Sequence, residues 1–176
     1  VRLLCHLNFN FPHGTHAVGR LDKNSEGLLI LTTDKKLTRL LFQSEVLHKR
    51  TYVVQVNNIL SEESLHRLQS GVMFKIKGGV YYQSAPCTVV VINKSFDLFP
   101  SEMKLKNNPL STWLEITLTE GKYHQVRKMM AAVRNRCLRL IRISIEDLKL
   151  NNMQPGEVVE IEEEELFSKL KIENAE

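Results

Sequence analysis

Apolar and polar residues alternate along TYVVQV (51–56) and again along STWLEITLT (111–119). Tyr52, Val54 and Val56 share one side of the first segment. Leu114, Ile116 and Leu118 share one side of the second, opposite Trp113, Glu115 and Thr117, so both predict half-buried strands. HAVGRL (16–21) predicts a short strand that enters a polar corner, Asp22-Lys23-Asn24-Ser25, and GLLILTT (27–33) a buried strand that leaves it. CLRLIRISI (137–145) and EVVEIEEE (157–164) read as strands, and VYYQSAPCTVVVI (80–92) as two strand pieces around Ala85-Pro86.

The spacing changes elsewhere to a helical period. Asp34 is suited to cap a helix through KKLTRLLFQS, with Leu37, Leu40 and Leu41 on one face. LSEESLHRLQSG (60–71) predicts a compact helix with Ser61 as cap, Glu62 and Glu63 in the first turn and Gly71 as stop. Val126, Met129, Met130 and Val133 form the apolar stripe of a third helix. Residues 93–111, containing Asn107-Asn108-Pro109, read as a long irregular excursion. Strands separated by helices without regular βαβ alternation predict an α+β fold, with a largely antiparallel or mixed central sheet flanked by helices. The chain is expected to be a single catalytic-size domain, 1–176, with 162–176 an acidic C-terminal helix or tail.

Composition adds bounds to this picture. A 43% hydrophobic content suffices for a proper core. No apolar run approaches the roughly 18 residues of a membrane span. Cys5, Cys87 and Cys137 are odd in number and far apart, which suits a reducing cytoplasm and offers neither a disulfide framework nor zinc spacing. His13 and His16 lack a Cys or carboxylate at ligand spacing and read as a loop pair, so no metal is expected. No glycine-rich nucleotide loop is present.

Charge is unevenly placed. Residues 155–176 hold eight Glu against Lys169 and Lys171, and this −6 leaves +10 in the rest of a chain whose net charge is +4. Within that remainder, 120–142 carries Lys122, Arg127, Lys128, Arg134, Arg136, Arg139 and Arg142 against Glu120 alone. A basic body with one dense stripe points to a polyanion partner.

Three places stand out: Arg20 and Asp22 at the corner, Tyr52 opening a strand after Lys49-Arg50, and EGKYHQVRKM. Taken alone, Asp22 is a turn residue and Tyr52 a core aromatic. Together they carry a resemblance. GRLDKNSEGLLILTTD resembles the catalytic motif of the pseudouridine synthases that modify ribosomal RNA, and KRTYVVQV their tyrosine motif. LTEGKYHQVRKMMAAVRNRCLRLIRISI is similar to their third motif, and the match in order and spacing runs from about residue 12 to about 161. Within the superfamily the chain looks most like the ribosomal small-subunit and large-subunit RNA subgroup. STWLEITLTEGK leans toward the large-subunit member that has no RNA-binding front domain.

The resemblance implies the family's catalytic fold and its reaction: a uridine's glycosidic bond is cut, the base rotates and is rejoined through carbon, without metal or cofactor. It implies a cytoplasmic monomer acting on ribosomal RNA, 23S in particular. Asp22 is the implied nucleophile, attacking the sugar C1′ or serving as the base that generates a glycal. A carboxylate of ordinary acidity is ionised at neutral pH, and burial would suppress the anion unless a cation offsets it. Arg127 matches the family's basic residue facing the aspartate. Tyr52 would stack on the flipped uracil with its hydroxyl near C5, and Leu140 would pack against the base. Arg20 would support the displaced RNA or fill the gap left by the base. Lys122, Lys128 and Arg142 would contact phosphates, while Gln125 orders the helix start.

The chain also departs from the family. Arg134 and Glu146 stand where glycine is usual, and a left-handed backbone at Arg134 would cost about 1 kcal/mol. The family's opening Asn-Lys-Pro-x-Gly segment is absent. The start, VRLLCHLNFNF, has no initiator Met and is too interrupted for a signal peptide, so the chain is expected to lack its native N-terminal strand. Two other readings use the same residues: a non-catalytic RNA-binding or ribosome-assembly module, and a glycoside-cleaving enzyme pairing Asp22 with Glu26.

Overall fold

The two alternating segments and the run 137–145 become the longest strands and the middle of the fold. The computed structural model describes residues 7–42, 46–92 and 110–172. Most of the excursion expected over 93–111, and the end of the helix expected to reach residue 44, lie outside them. In chain order the first half holds β1 (His16–Val18), β2 (Glu26–Gly27), β3 (Ile30–Thr32), α1 (Leu37–Phe42), β4 (Arg50–Asn57) and α2 (Glu62–Ser70). The second holds β5 (Met73–Lys75), β6 (Tyr81–Gln83), β7 (Thr88–Ile92), β8 (Ser111–Leu118), α3 (Gln125–Ala132), β9 (Cys137–Ile145), β10 (Leu148–Lys149) and α4 (Glu163–Leu170).

The main sheet runs β10-β9-β4-β8-β7, antiparallel throughout, and β2 lies parallel along β9. This is the mixed sheet of an α+β fold. Register places Tyr52 opposite Ile116 on β8 and Arg142 on β9, and Val54 opposite Leu114 and Leu140. Residues directly opposite share a face. Val54, Val56, Leu114, Ile116, Leu118 and Leu140 therefore form one apolar surface, which α2 covers with Leu68 and α3 with Val126, Met129 and Met130. The second cluster joins Val18, Leu28, Ile30, Leu37 and Leu41 to Ile145 and to Leu166, Phe167 and Leu170 of α4.

Local chemistry accounts for the helix limits. Ser61 accepts a hydrogen bond from the Ser64 amide at 3.2 Å, and Gly71, at φ 94°, ends α2. Asp34 Oδ1 accepts from the Lys36 amide at 2.7 Å, one turn before α1 begins.

Two expected strands differ from their predicted form. The run 27–33 is split because it serves two sheets: β2 pairs with β9, whereas β3 turns away to pair with β1. The strand expected over 157–164 is absent. Residues 157–162 are irregular, and α4 starts at Glu163 with three glutamates in its first turn. Negative charge there complements the amide end of the helix, and burial of Leu166, Phe167 and Leu170 anchors it.

Candidate active site

The polar corner is a tight turn closed by the Ser25 amide donating to the Asp22 carbonyl at 2.8 Å. Its entry requires Gly19, at φ 72°, because a Cβ there would meet the Phe42 ring at 2.8 Å. Its exit requires Gly27, where a Cβ would lie 2.2 Å from the Arg142 carbonyl oxygen. That contact lets β2 press against β9, and the Leu28 amide donates to the same carbonyl at 2.9 Å. Glu26 then clasps Arg139 through two hydrogen bonds of 2.8 Å, with Arg139 only 2% exposed. The corner is thus fixed to β9 on both sides of the glycine. Glu26 is committed to that clasp, which removes the paired-carboxylate reading.

Asp22 projects from this fixed turn with its side chain 28% exposed. The side chain that faces it is His124, whose Nε2 stands 3.4 Å from Asp22 Oδ1. His124 precedes α3 in a left-handed conformation, φ 55°, and its ring stacks on Tyr123 at 3.9 Å and 17°. Lys128 Nζ lies 5.4 Å over the Tyr123 ring. Sequence reasoning missed His124. Its signal was a histidine inside the third motif, but its backbone conformation and its partner at the corner leave no periodic trace.

Arg127 is placed differently from the expectation. It makes no ion pair with Asp22 among the described residues. Its Nη2 donates to the Asn24 carbonyl at 2.5 Å and lies 3.5 Å from Ser25 Oγ, and its Nη1 reaches Cys137 Sγ at 3.6 Å. Arg127 therefore grips the backbone of the turn that carries Asp22. Burial raises the Cys137 thiol to about 11, with Arg127 opposing that rise and Asp22 adding to it, which locates all three groups together.

Arg142 corrects a second expectation. It is 3% exposed, with Nε donating to the Leu28 carbonyl at 2.8 Å, so it cannot present itself to a phosphate. Burial lowers its pKa, and attraction to Tyr52 works the other way. Arg142 pairs in register with Gly27 on one side and Tyr52 on the other. Tyr52, half-buried, is therefore two strand spacings from the corner, roughly 10 Å across β9. Leu140 is buried in the cluster that Tyr52 packs against.

The remaining expected residues line the open side. Arg20 is exposed and has no side-chain partner among the described residues. Lys122 is exposed, its Nζ 4.8 Å from the Tyr82 ring. Gln125 orders the helix start as expected: its Oε1 accepts from the Lys122 amide at 2.8 Å, and its Nε2 donates to Glu120. Glu120 also accepts from the Tyr82 hydroxyl, which pushes the Tyr82 pKa up to about 12. Among the described residues no cluster of His, Cys, Asp and Glu could hold a metal ion.

The sequence profile of the RNA pseudouridylate synthase family matches residues 4–132. Ribosomal large subunit pseudouridine synthase E of Vibrio parahaemolyticus is 38% identical over 149 residues, covering 84% of this chain and 60% of that protein. Its namesake in Xanthomonas axonopodis pv. citri is 36% identical over 149 residues, covering 84% of this chain and 76% of that protein. The chain thus spans less than the full length of these relatives. A crystal structure of a pseudouridylate synthase shares the fold, with a TM-score of 0.71 at 24% identity over 92% of this chain and 63% of that one. A half-open carboxylate on a clamped turn, a tyrosine two strands away and the profile match agree: the chain belongs to the RNA pseudouridylate synthase family.

Proposed function

We propose that this chain isomerises a uridine of ribosomal RNA, in the large subunit, to pseudouridine, and that Asp22 is its nucleophile. The observation that carries the reading is the Asp22 carboxylate, raised on a turn that Arg127 and β9 hold rigid and left 28% exposed toward an incoming nucleotide. The anion attacks C1′ as the bond to N1 breaks and its electron pair stays on the base, or removes a sugar proton to give a glycal. Both routes start from the same carboxylate. After rotation C5 bonds to C1′ as the carboxylate leaves C1′, or as the sugar proton returns to the glycal, and then the C5 proton is lost and N1 gains one. Substrate and product contain the same atoms at the same oxidation level, so the step requires neither redox cofactor nor co-substrate. Fixed positioning and a charged group in a partly dry site are what such chemistry needs.

In this reading Tyr52 holds the everted ring and Leu140 backs it. Arg127 positions the turn, and His124 is the polar group in contact with the nucleophile. Arg20, Lys122 and Lys128 meet the RNA backbone. No helix among the described residues is long and apolar enough to cross a membrane. The bacterial relatives named for ribosomal large-subunit RNA support a place in the cytoplasm.

Asp22→Asn is the direct test, because it keeps the shape and removes the anion. Pseudouridine formation in ribosomal RNA, mapped position by position, is expected to fall at least about a thousandfold, the loss of roughly 4 kcal/mol of barrier lowering. Wild-type levels of product from the Asp22→Asn protein would end the assignment.

A further inference from the structure

Three arginines surround a depression of about 360 Å³ between the end of α3 and the start of β9, lined by Arg127, Ala131, Arg134, Asn135, Arg136 and Cys137. It adjoins the corner, since Arg127 and Cys137 belong to both. The backbone beneath it is rigid. Asn135 is buried and donates Nδ2 to the Asn57 carbonyl at 2.9 Å, while the Arg136 amide donates to the Asn57 side chain. Arg134 and Arg136 are exposed and have no side-chain hydrogen bond or ion pair among the described residues.

Arg134 is also left-handed, φ 60°. Glycine or asparagine adopts that conformation more easily than a long side chain, and Asn135 stands next to it. An arginine here works against the fold and its guanidinium has no polar partner among the described residues, which leaves it available to a group from outside. Guanidinium forks match the paired oxygens of a phosphodiester. Two of them stand at an open rim, with a third at the back bound to the corner, a layout suited to a chain passing the site.

We propose that Arg134 and Arg136, backed by Arg127, seat an RNA phosphodiester next to the nucleotide at Asp22. This rests on the RNA reading of the corner. Arg134 is thereby a binding residue whose cost in backbone strain is offset only in the complex.

The test measures binding of the intact protein to a fluorescein-labelled RNA hairpin with uridine in its loop, by anisotropy across a KCl series, beside thermal melting. Arg134→Gly is expected to melt no lower than wild type while its Kd rises roughly fivefold to tenfold near about 100 mM KCl. The slope of log K against log salt should shrink by about 0.7 to 0.9, and by about twice that in Arg134→Gly/Arg136→Gln. Arg134→Lys should keep the slope and recover only part of the affinity. An Arg134→Gly protein with wild-type Kd and slope overturns the proposal. The two readings fail separately. A loss of affinity in Arg134→Gly with full product from Asp22→Asn sinks only the nucleophile assignment, and the reverse pattern sinks only the phosphate seat.

Discussion

His124 is the residue whose chemistry depends most on its backbone. Its φ of 55° turns the ring back over the corner, where Nε2 stands 3.4 Å from Asp22. Tyr123 stacked on the other side prevents the ring from swinging free. His124→Asn retains a side chain that tolerates a left-handed backbone and removes the ring. It should fold with a melting temperature close to wild type and lose about tenfold in kcat/KM for RNA, ~1.4 kcal/mol of transition-state stabilisation. Equal kcat/KM in the two proteins would show that the contact is incidental. A useful contrast is Glu146, left-handed at φ 47°. Its carboxylate accepts from the Lys49 amide at 2.5 Å and lies 3.4 Å from Lys171 Nζ, so its strain is offset inside the protein. Arg134 has no such internal return.

At the scale of elements, α4 is the sharpest case. Its glutamates dominate the sequence, yet Leu166, Phe167 and Leu170 bury against Ile145, Leu37 and Leu41. Leu170→Ala removes a fully buried side chain and should cost about 2 to 5 kcal/mol in denaturant unfolding, whereas Glu164→Gln should change stability by less than about 0.5. A Leu170→Ala loss below about 1 kcal/mol would mean that the helix is not docked. The same comparison shows what the sequence made legible. Faces of β4 and β8, the caps Ser61 and Gly71 and the α3 stripe are local signals, and each stands where the pattern puts it. β5 is three residues long, too short to show a period. The turn away from β9 after Gly27 depends on which sheets the flanking strands join. Arg142 reads as a surface cation until the Leu28 carbonyl, 114 residues away, arrives to receive its Nε. The motifs singled out Asp22, Tyr52 and Arg127, but the choice of Asn24 over Asp22 as the partner of Arg127 is a tertiary contact that no spacing encodes.

For the molecule as a whole, several titrating groups favour their protonated forms in the fold. Burial pushes Cys87 and Cys137 up to about 11 from 9.0, and the bond to Glu120 pushes Tyr82 up to about 12 from 10.0. Lys171 shifts upward as well, held by Asp147 and Glu146. Raised values in the folded state stabilise it below the unfolded pKa, and that stability disappears as pH climbs through the folded pKa. Burial shifts Arg50 and Arg142 down, but a guanidinium stays charged over this range. The melting temperature should therefore hold to about pH 9 and decline steadily toward 12. In Cys87→Ala/Cys137→Ala the decline between about 9 and 11 should be shallower, and an unchanged slope would show that the thiols do not contribute.

The parallel contact of β2 with β9 bears on synthesis of the chain. Arg127 and Asn24 are 103 residues apart, and Arg142 and Leu28 are 114 apart. A polypeptide emerging from the ribosome displays its aspartate early, but the strand that braces it arrives only after residue 145 has left the tunnel. Until then the turn lacks the Arg127 and β9 contacts that fix it, so on the proposed reading an unfinished chain has its nucleophile but not the frame that would aim it.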